Sequence, residues 1–70
     1  MNFEILTKRE KEIFDLLVIN KTTFEIANRL NITEKTVRNH ISNVIGKLGV
    51  SSRTQAIIEL LRYNILKIEK

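Results

Sequence analysis

Seventy residues, a net charge of +4 and no cysteine or proline describe one small, nearly all-helical domain whose core buries a limited share of its surface. Without cysteine there is no disulfide framework and no thiolate metal site. The longest apolar runs, Ile57-Ile58 and Leu60-Leu61 split by Glu59, are far too short to span a bilayer.

The opening MNFEILTKRE has no basic stretch followed by an apolar one, so no secretory signal is expected. Residues 1–6 read as a short tail, and residues 7–70 as the domain. Thr7 and Glu10 fit a capping box that starts a first helix. Ile13, Phe14, Leu16, Leu17 and Val18 form its inward stripe, and Asn20 suits a left-handed stop. Thr22 and Glu25 repeat the capping pattern for a short second helix ending near Leu30, with Ile26, Ala27 and Leu30 inward. Small Ala27 lets another helix approach closely.

Asn31-Ile32-Thr33 is a tight connection, with Ile32 dipping into the core. Thr33 caps a third helix over about residues 34–48, and Gly49 is its left-handed terminator. Val37, Ile41, Val44, Ile45 and Leu48 recur at three- and four-residue steps, the period of a helix on a core. Gly46, inside this helix, costs about 1 kcal/mol relative to alanine, which an exposed face tolerates. Ser52 and Gln55 make a further capping box for a fourth helix to about Tyr63. Asn64 is its stop, and Ile65, Leu66 and Ile68 continue as a short apolar tail.

The charges are unevenly spread. Met1 to Glu34 holds five basic and six acidic residues, whereas Lys35 to Ile58 holds four basic residues and no acid. Two helices joined by a three-residue turn, the second longer, suggest helix-turn-helix geometry, in which the second helix enters the DNA major groove. Arg38, Asn39 and Ser42 stand on one face early in the third helix. Arginine can pair with guanine, asparagine with adenine and serine with several base edges. Lys35, Thr36, Asn43 and Lys47 flank them where phosphates would lie. The same pattern also fits a solvated helix face, and the missing acids favour DNA.

The single histidine, His40, reads as a half-exposed residue making one hydrogen bond, since a metal site needs more ligands and a catalytic base needs a partner and a pocket. Glu10 is expected to pair with Arg53. No glycine-rich phosphate loop is present, so an enzyme is set aside and no metal, cofactor or small-molecule ligand is expected. On the fourth helix, Ala56, Ile57 and Leu60 suffice for packing. Ile58 and Leu61, with Arg62, are left as a strip suited to a two-fold homodimer.

LTKREKEIFDLL and TTFEIANRLNITEKTVRNHISNVIGKLGVSSRTQA resemble the LuxR/GerE-type helix-turn-helix domain from Leu6 to about Ile65. The landmarks are Leu6-Thr7-x-Arg9-Glu10, Glu25-Ile26-Ala27, Leu30, Ile32, Lys35-Thr36-Val37, His40, Lys47-Leu48-Gly49-Val50 and Arg53. Asn20, where members often have glycine, and Gly46, where they carry a long polar residue, are departures.

The resemblance implies an all-α, four-helix fold and a dimeric, sequence-specific transcriptional regulator, activator or repressor, of two-fold related sites in double-stranded DNA. It puts base-facing positions on Arg38, Asn39 and Ser42. Phosphate-facing positions fall on Lys35, Thr36, Asn43 and Lys47, and on Thr22 and Thr23 at the start of the second helix. KTTFEIA, EKTVRNHISN and ELLR are similar to stand-alone sporulation regulators. That likeness implies a cytoplasmic protein of the mother cell acting on late spore-coat genes, with RNA polymerase as a further partner. The alternatives are an output domain cropped from a longer response regulator and a helical adaptor whose basic face binds an acidic protein.

Overall fold

The computed structural model describes residues 5–68. Its helices are α1 (Lys8–Val18), α2 (Thr23–Leu30), α3 (Glu34–Leu48) and α4 (Arg53–Arg62). Each is started by a hydroxyl. Thr7, Thr22, Thr33 and Ser52 accept from the backbone N–H groups of Glu10, Glu25, Thr36 and Gln55. Such a cap satisfies a donor that has no partner within the helix.

In α1 and α2 the glutamate returns the bond, at 2.9 Å to the N–H of Thr7 and of Thr22, closing the two expected capping boxes. The Thr22 N–H, with Lys21 nearby, holds the Glu25 carboxyl below its ordinary pKa. The third expected box is only half formed. Gln55 turns its carbonyl oxygen to the N–H and hydroxyl of Ser51, at 2.9 and 2.8 Å, instead of to Ser52.

Left-handed residues end the elements at the expected Asn20 (φ 70°), Gly49 (φ 68°) and Asn64 (φ 60°), and also at Asn31 (φ 60°), expected only as part of the connection. Asparagine tolerates this region better than most residues, and glycine enters it without penalty. At Gly49 the turn lets the N–H of Val50 reach the carbonyl of Ile45, so Val50 folds back onto the core.

α1, α2 and α4 all pack against α3. The core holds Leu6, Ile13, Phe14, Leu17, Ile26, Ala27, Val37, Ile41, Val44, Ala56, Leu60 and Leu66. Leu30, Ile32, Ile45, Leu48, Ile57 and Leu61 pack against it half-buried. Two expectations are corrected here. Leu66 is no tail residue: the left-handed turn at Asn64 brings the N–H groups of Ile65 and Leu66 to the carbonyl of Leu60 and returns the chain to the core. Leu61 belongs partly to the core, because a ten-residue helix on so small a body buries more than one narrow stripe.

The expected Glu10–Arg53 pair is also replaced. Glu10, only 3% exposed, meets the Lys47 ammonium, which also donates to the carbonyl of Ile5 at 3.0 Å. The pair ties α1 to the end of α3.

Gly46 is exposed, and a Cβ added there meets nothing within 4 Å. Its helical backbone gains nothing from glycine. Gly46→Ala is therefore expected to raise stability by about 0.8–1 kcal/mol, read as a higher midpoint in a thermal melt. A lowered midpoint would mean that the backbone at Gly46 departs from helical geometry in solution.

Candidate nucleic-acid interface

At 3.6 residues per turn, α3 turns Val37, Ile41, Val44 and Leu48 toward the other helices and Lys35, Asn39, Ser42 and Gly46 away from them. Those four exposed residues follow one another at steps of four, three and four, a single row on the outer surface. Arg38 and Asn43 stand exposed on either side of the row. Thr36 is half-buried; its N–H and hydroxyl meet the cap hydroxyl of Thr33, at 3.1 and 3.0 Å.

α2 lies against α3 and brings its own start to the start of α3. The contact is specific: the Thr23 hydroxyl donates to Glu34 Oε2 at 3.0 Å. Thr22 is exposed beside it, and Phe24 is 62% exposed. The outer face of α3 thus forms one surface with the first residues of α2. Arg38, Asn39, Ser42, Lys35, Asn43, Thr36, Thr22 and Thr23 all lie on it or at its edge.

Lys47 is turned to another helix. It lies across α3 from Arg38, on the flank that carries Thr36 and Asn43 and beyond Asn43 toward the end of the helix. There it faces α1 and neutralises Glu10. Burial pushes the Glu10 carboxyl up; the Lys47 hydrogen bond, the Thr7 N–H and the Lys47 charge outweigh that and leave it below its ordinary value. The ammonium is thus engaged within the fold.

Two features of the surface escaped the sequence reading. Glu34, the first residue of α3, places Oε2 within 3.9 Å of Arg38 Nη1. The signal was present, since an acid four residues before an arginine on a helix sits next to it. The other is His40. It is half-buried, and its Nδ1 is shielded from solvent without a hydrogen-bond partner among the described residues. A proton on Nε2 leaves only a lone pair at that position.

Nothing among the described residues groups three or more candidate metal ligands. No helix of the described residues is long and apolar enough to cross a membrane.

On α4, Ile58 is 50% exposed. Arg62 is exposed, pairs with Glu59 at 3.1 Å and lies over the Tyr63 ring, 5.6 Å from its centre.

Comparison with known proteins agrees with this geometry. Residues 4–60 match the family model of bacterial regulatory proteins, luxR family. The chain is 62% identical over 64 residues to spore germination protein GerE of Bacillus subtilis, covering 91% of this chain and 86% of that protein. It is 43% identical over 65 residues to response regulator protein VraR of Staphylococcus aureus, covering 93% of this chain but 31% of VraR. A solved structure of the transcription factor GerE superposes with a TM-score of 0.92 at 58% identity, covering 96% of this chain and all of that one. These are regulators of transcription rather than enzymes, and their shared part is a DNA-binding domain. By its sequence, its four helices and the arrangement of α2 and α3, the chain belongs to the LuxR family of bacterial regulatory proteins.

Proposed function

We propose that this regulator binds two-fold related sites in duplex DNA as a homodimer, with α3 in the major groove. Arg38, Asn39 and Ser42 meet base edges. Lys35, Thr36 and Asn43, with Thr22 and Thr23 at the start of α2, meet the phosphates on either side. The observation that carries this reading is the outer face of α3: an exposed row of amide, hydroxyl and basic side chains with no acid between Lys35 and Ile58, backed by a helix that fixes its angle. The major groove is about 12 Å wide and admits such a helix. Its phosphates reward positive charge.

The likeness to GerE over most of its length supports a role in sporulation. The target genes we propose are late spore-coat genes, transcribed in the cytoplasm of the mother cell, with RNA polymerase as the protein partner. The likeness to VraR supports a second reading, in which the same domain is the output module of a longer response regulator. The mass of the native polypeptide separates the two.

Selection of bound sequences from random duplex DNA tests the central claim. A two-fold related motif is the expected result. No enrichment would favour an adaptor that binds acidic proteins.

On the selected site, Arg38→Ala is expected to cost about 1–3 kcal/mol and to relax preference at one base pair of each half-site. Lys35→Ala, removing a phosphate contact, should weaken specific and random DNA alike and flatten the salt dependence by about one unit of slope. If the two variants behave identically on both kinds of DNA, the division between base and phosphate contacts is wrong.

A further inference from the structure

We propose that Glu34 is a specificity-determining residue that acts by positioning Arg38; the inference rests on the DNA reading above. A carboxylate next to a base-reading arginine works against binding to a polyanion, because it repels the phosphates of every sequence. Glu34 is nonetheless held there from two sides. Its Oε2 accepts from the Thr23 hydroxyl at 3.0 Å, which locks the carboxylate to the start of α2. The same oxygen lies 3.9 Å from Arg38 Nη1. Both side chains are substantially exposed, at 57% for Arg38 and 41% for Glu34, so the pair is weak and breaks readily.

That weakness gives it a function. Arginine side chains on a helix lean toward its N-terminus, and Glu34 anchors Arg38 in that direction, the end of α3 that enters the groove. On random duplex, an untethered arginine would turn to the nearest phosphate and add sequence-independent affinity. The Glu34 carboxylate competes with that phosphate. At a guanine, two acceptors in one plane offer the guanidinium a bidentate contact, which outbids the single long contact to Glu34. Glu34 therefore lowers non-specific binding more than specific binding. Thr23, expected to face phosphate, is also the group that keeps the carboxylate in place.

Glu34→Gln tests this. The glutamine carbonyl still accepts from Thr23 and only the charge is lost, and circular dichroism checks that the helices persist. Binding is measured on the selected site and on a random-sequence duplex across salt concentrations. The expected result is that affinity for random duplex rises, its salt dependence steepens, and the specific-to-random ratio falls by about two- to fivefold. Repeated in the Arg38→Ala background, the same change should leave the ratio unaltered, because the group that Glu34 positions is gone.

An equal rise on both duplexes in Glu34→Gln would overturn the proposal and leave Glu34 as a bulk charge. An equal fall in the ratio with and without Arg38 would overturn it too, placing the effect elsewhere. A native protein that shows no preference between selected and random duplex defeats the DNA reading itself, and this inference with it, before any variant is made.

Discussion

Lys47→Ala is expected to destabilise the domain by about 2–3 kcal/mol at neutral pH, and to do so less and less as the solution is acidified. The substitution leaves the Glu10 carboxylate buried with only Thr7 to stabilise its charge. A hydrogen bond to a charged group contributes roughly 1.5–3 kcal/mol, and a buried charge left without its partner adds its own cost. Half-exposure of the Lys47 stem keeps the figure at the low end. A domain of this length has about 4–10 kcal/mol of stability in all, so the loss is a large fraction.

The pH dependence follows from the direction of the Glu10 shift. Burial raises its pKa, while the Lys47 and Thr7 hydrogen bonds and the Lys47 charge lower it further than burial raises it. A carboxyl whose pKa is depressed by folding takes up its proton more readily in the unfolded chain. Its contribution is therefore complete above the unfolded value, about 4.3, and is lost as pH falls through the lower folded value. Once Glu10 is neutral, Lys47 has little left to stabilise. Urea melts of the native chain and of Lys47→Ala at pH 7 and near pH 3 should show the gap between them closing. A gap that stays constant would mean that Lys47 stabilises through its apolar stem and the Ile5 carbonyl rather than through Glu10.

This pair also marks where the sequence stops being readable. Thr7, Thr22, Thr33, Asn20 and Gly49 act on backbone groups within a few residues of themselves, so their roles follow from spacing alone. The outer face of α3 follows from helical phase, and so does the burial of Val37, Ile41 and Val44. Glu10 and Lys47 are 37 positions apart. Their meeting depends on the angle at which α1 docks on α3, which no local pattern encodes.

Helical phase puts Lys47 on the flank of α3 that also carries Thr36 and Asn43; that α1 brings Glu10 to that flank is what phase alone does not tell. Gln55 shows a different limit. Its N–H donates to the Ser52 hydroxyl as expected, but its side-chain oxygen accepts from Ser51, one residue earlier, a choice that spacing does not settle. Leu66 could be placed only by following the left-handed turn at Asn64 back to the core.

Ile58→Glu is expected to abolish cooperative binding to a site with two half-sites while leaving the fold intact. We propose that the dimer contact is the strip on α4: two copies of α4 meet about a two-fold axis, with the two α3 helices about 34 Å apart in successive major grooves. The apolar material for such a contact is thin. Ile58 is half exposed, Leu61 spends part of its surface on the core, and Arg62 is engaged by Glu59 and Tyr63. A contact of that size gives a weak dimer in free solution, and DNA completes it by holding both copies on one duplex. Two half-sites engaged together gain on the order of 100-fold over one, and that gain is what a disrupted axis forfeits.

Ile58 is the better probe than Leu61. A charge at Leu61 enters the core margin and lowers stability, confusing folding with assembly. A charge at Ile58 faces solvent in the monomer and should move the melt by no more than about 0.5 kcal/mol. Across the axis the same substitution sets two carboxylates near each other. Sedimentation should then show monomer only, a single half-site should bind as before, and the paired site should lose its roughly 100-fold advantage. Cooperative binding that survives Ile58→Glu in a protein with an unchanged melt would show that the two copies meet through a surface other than α4.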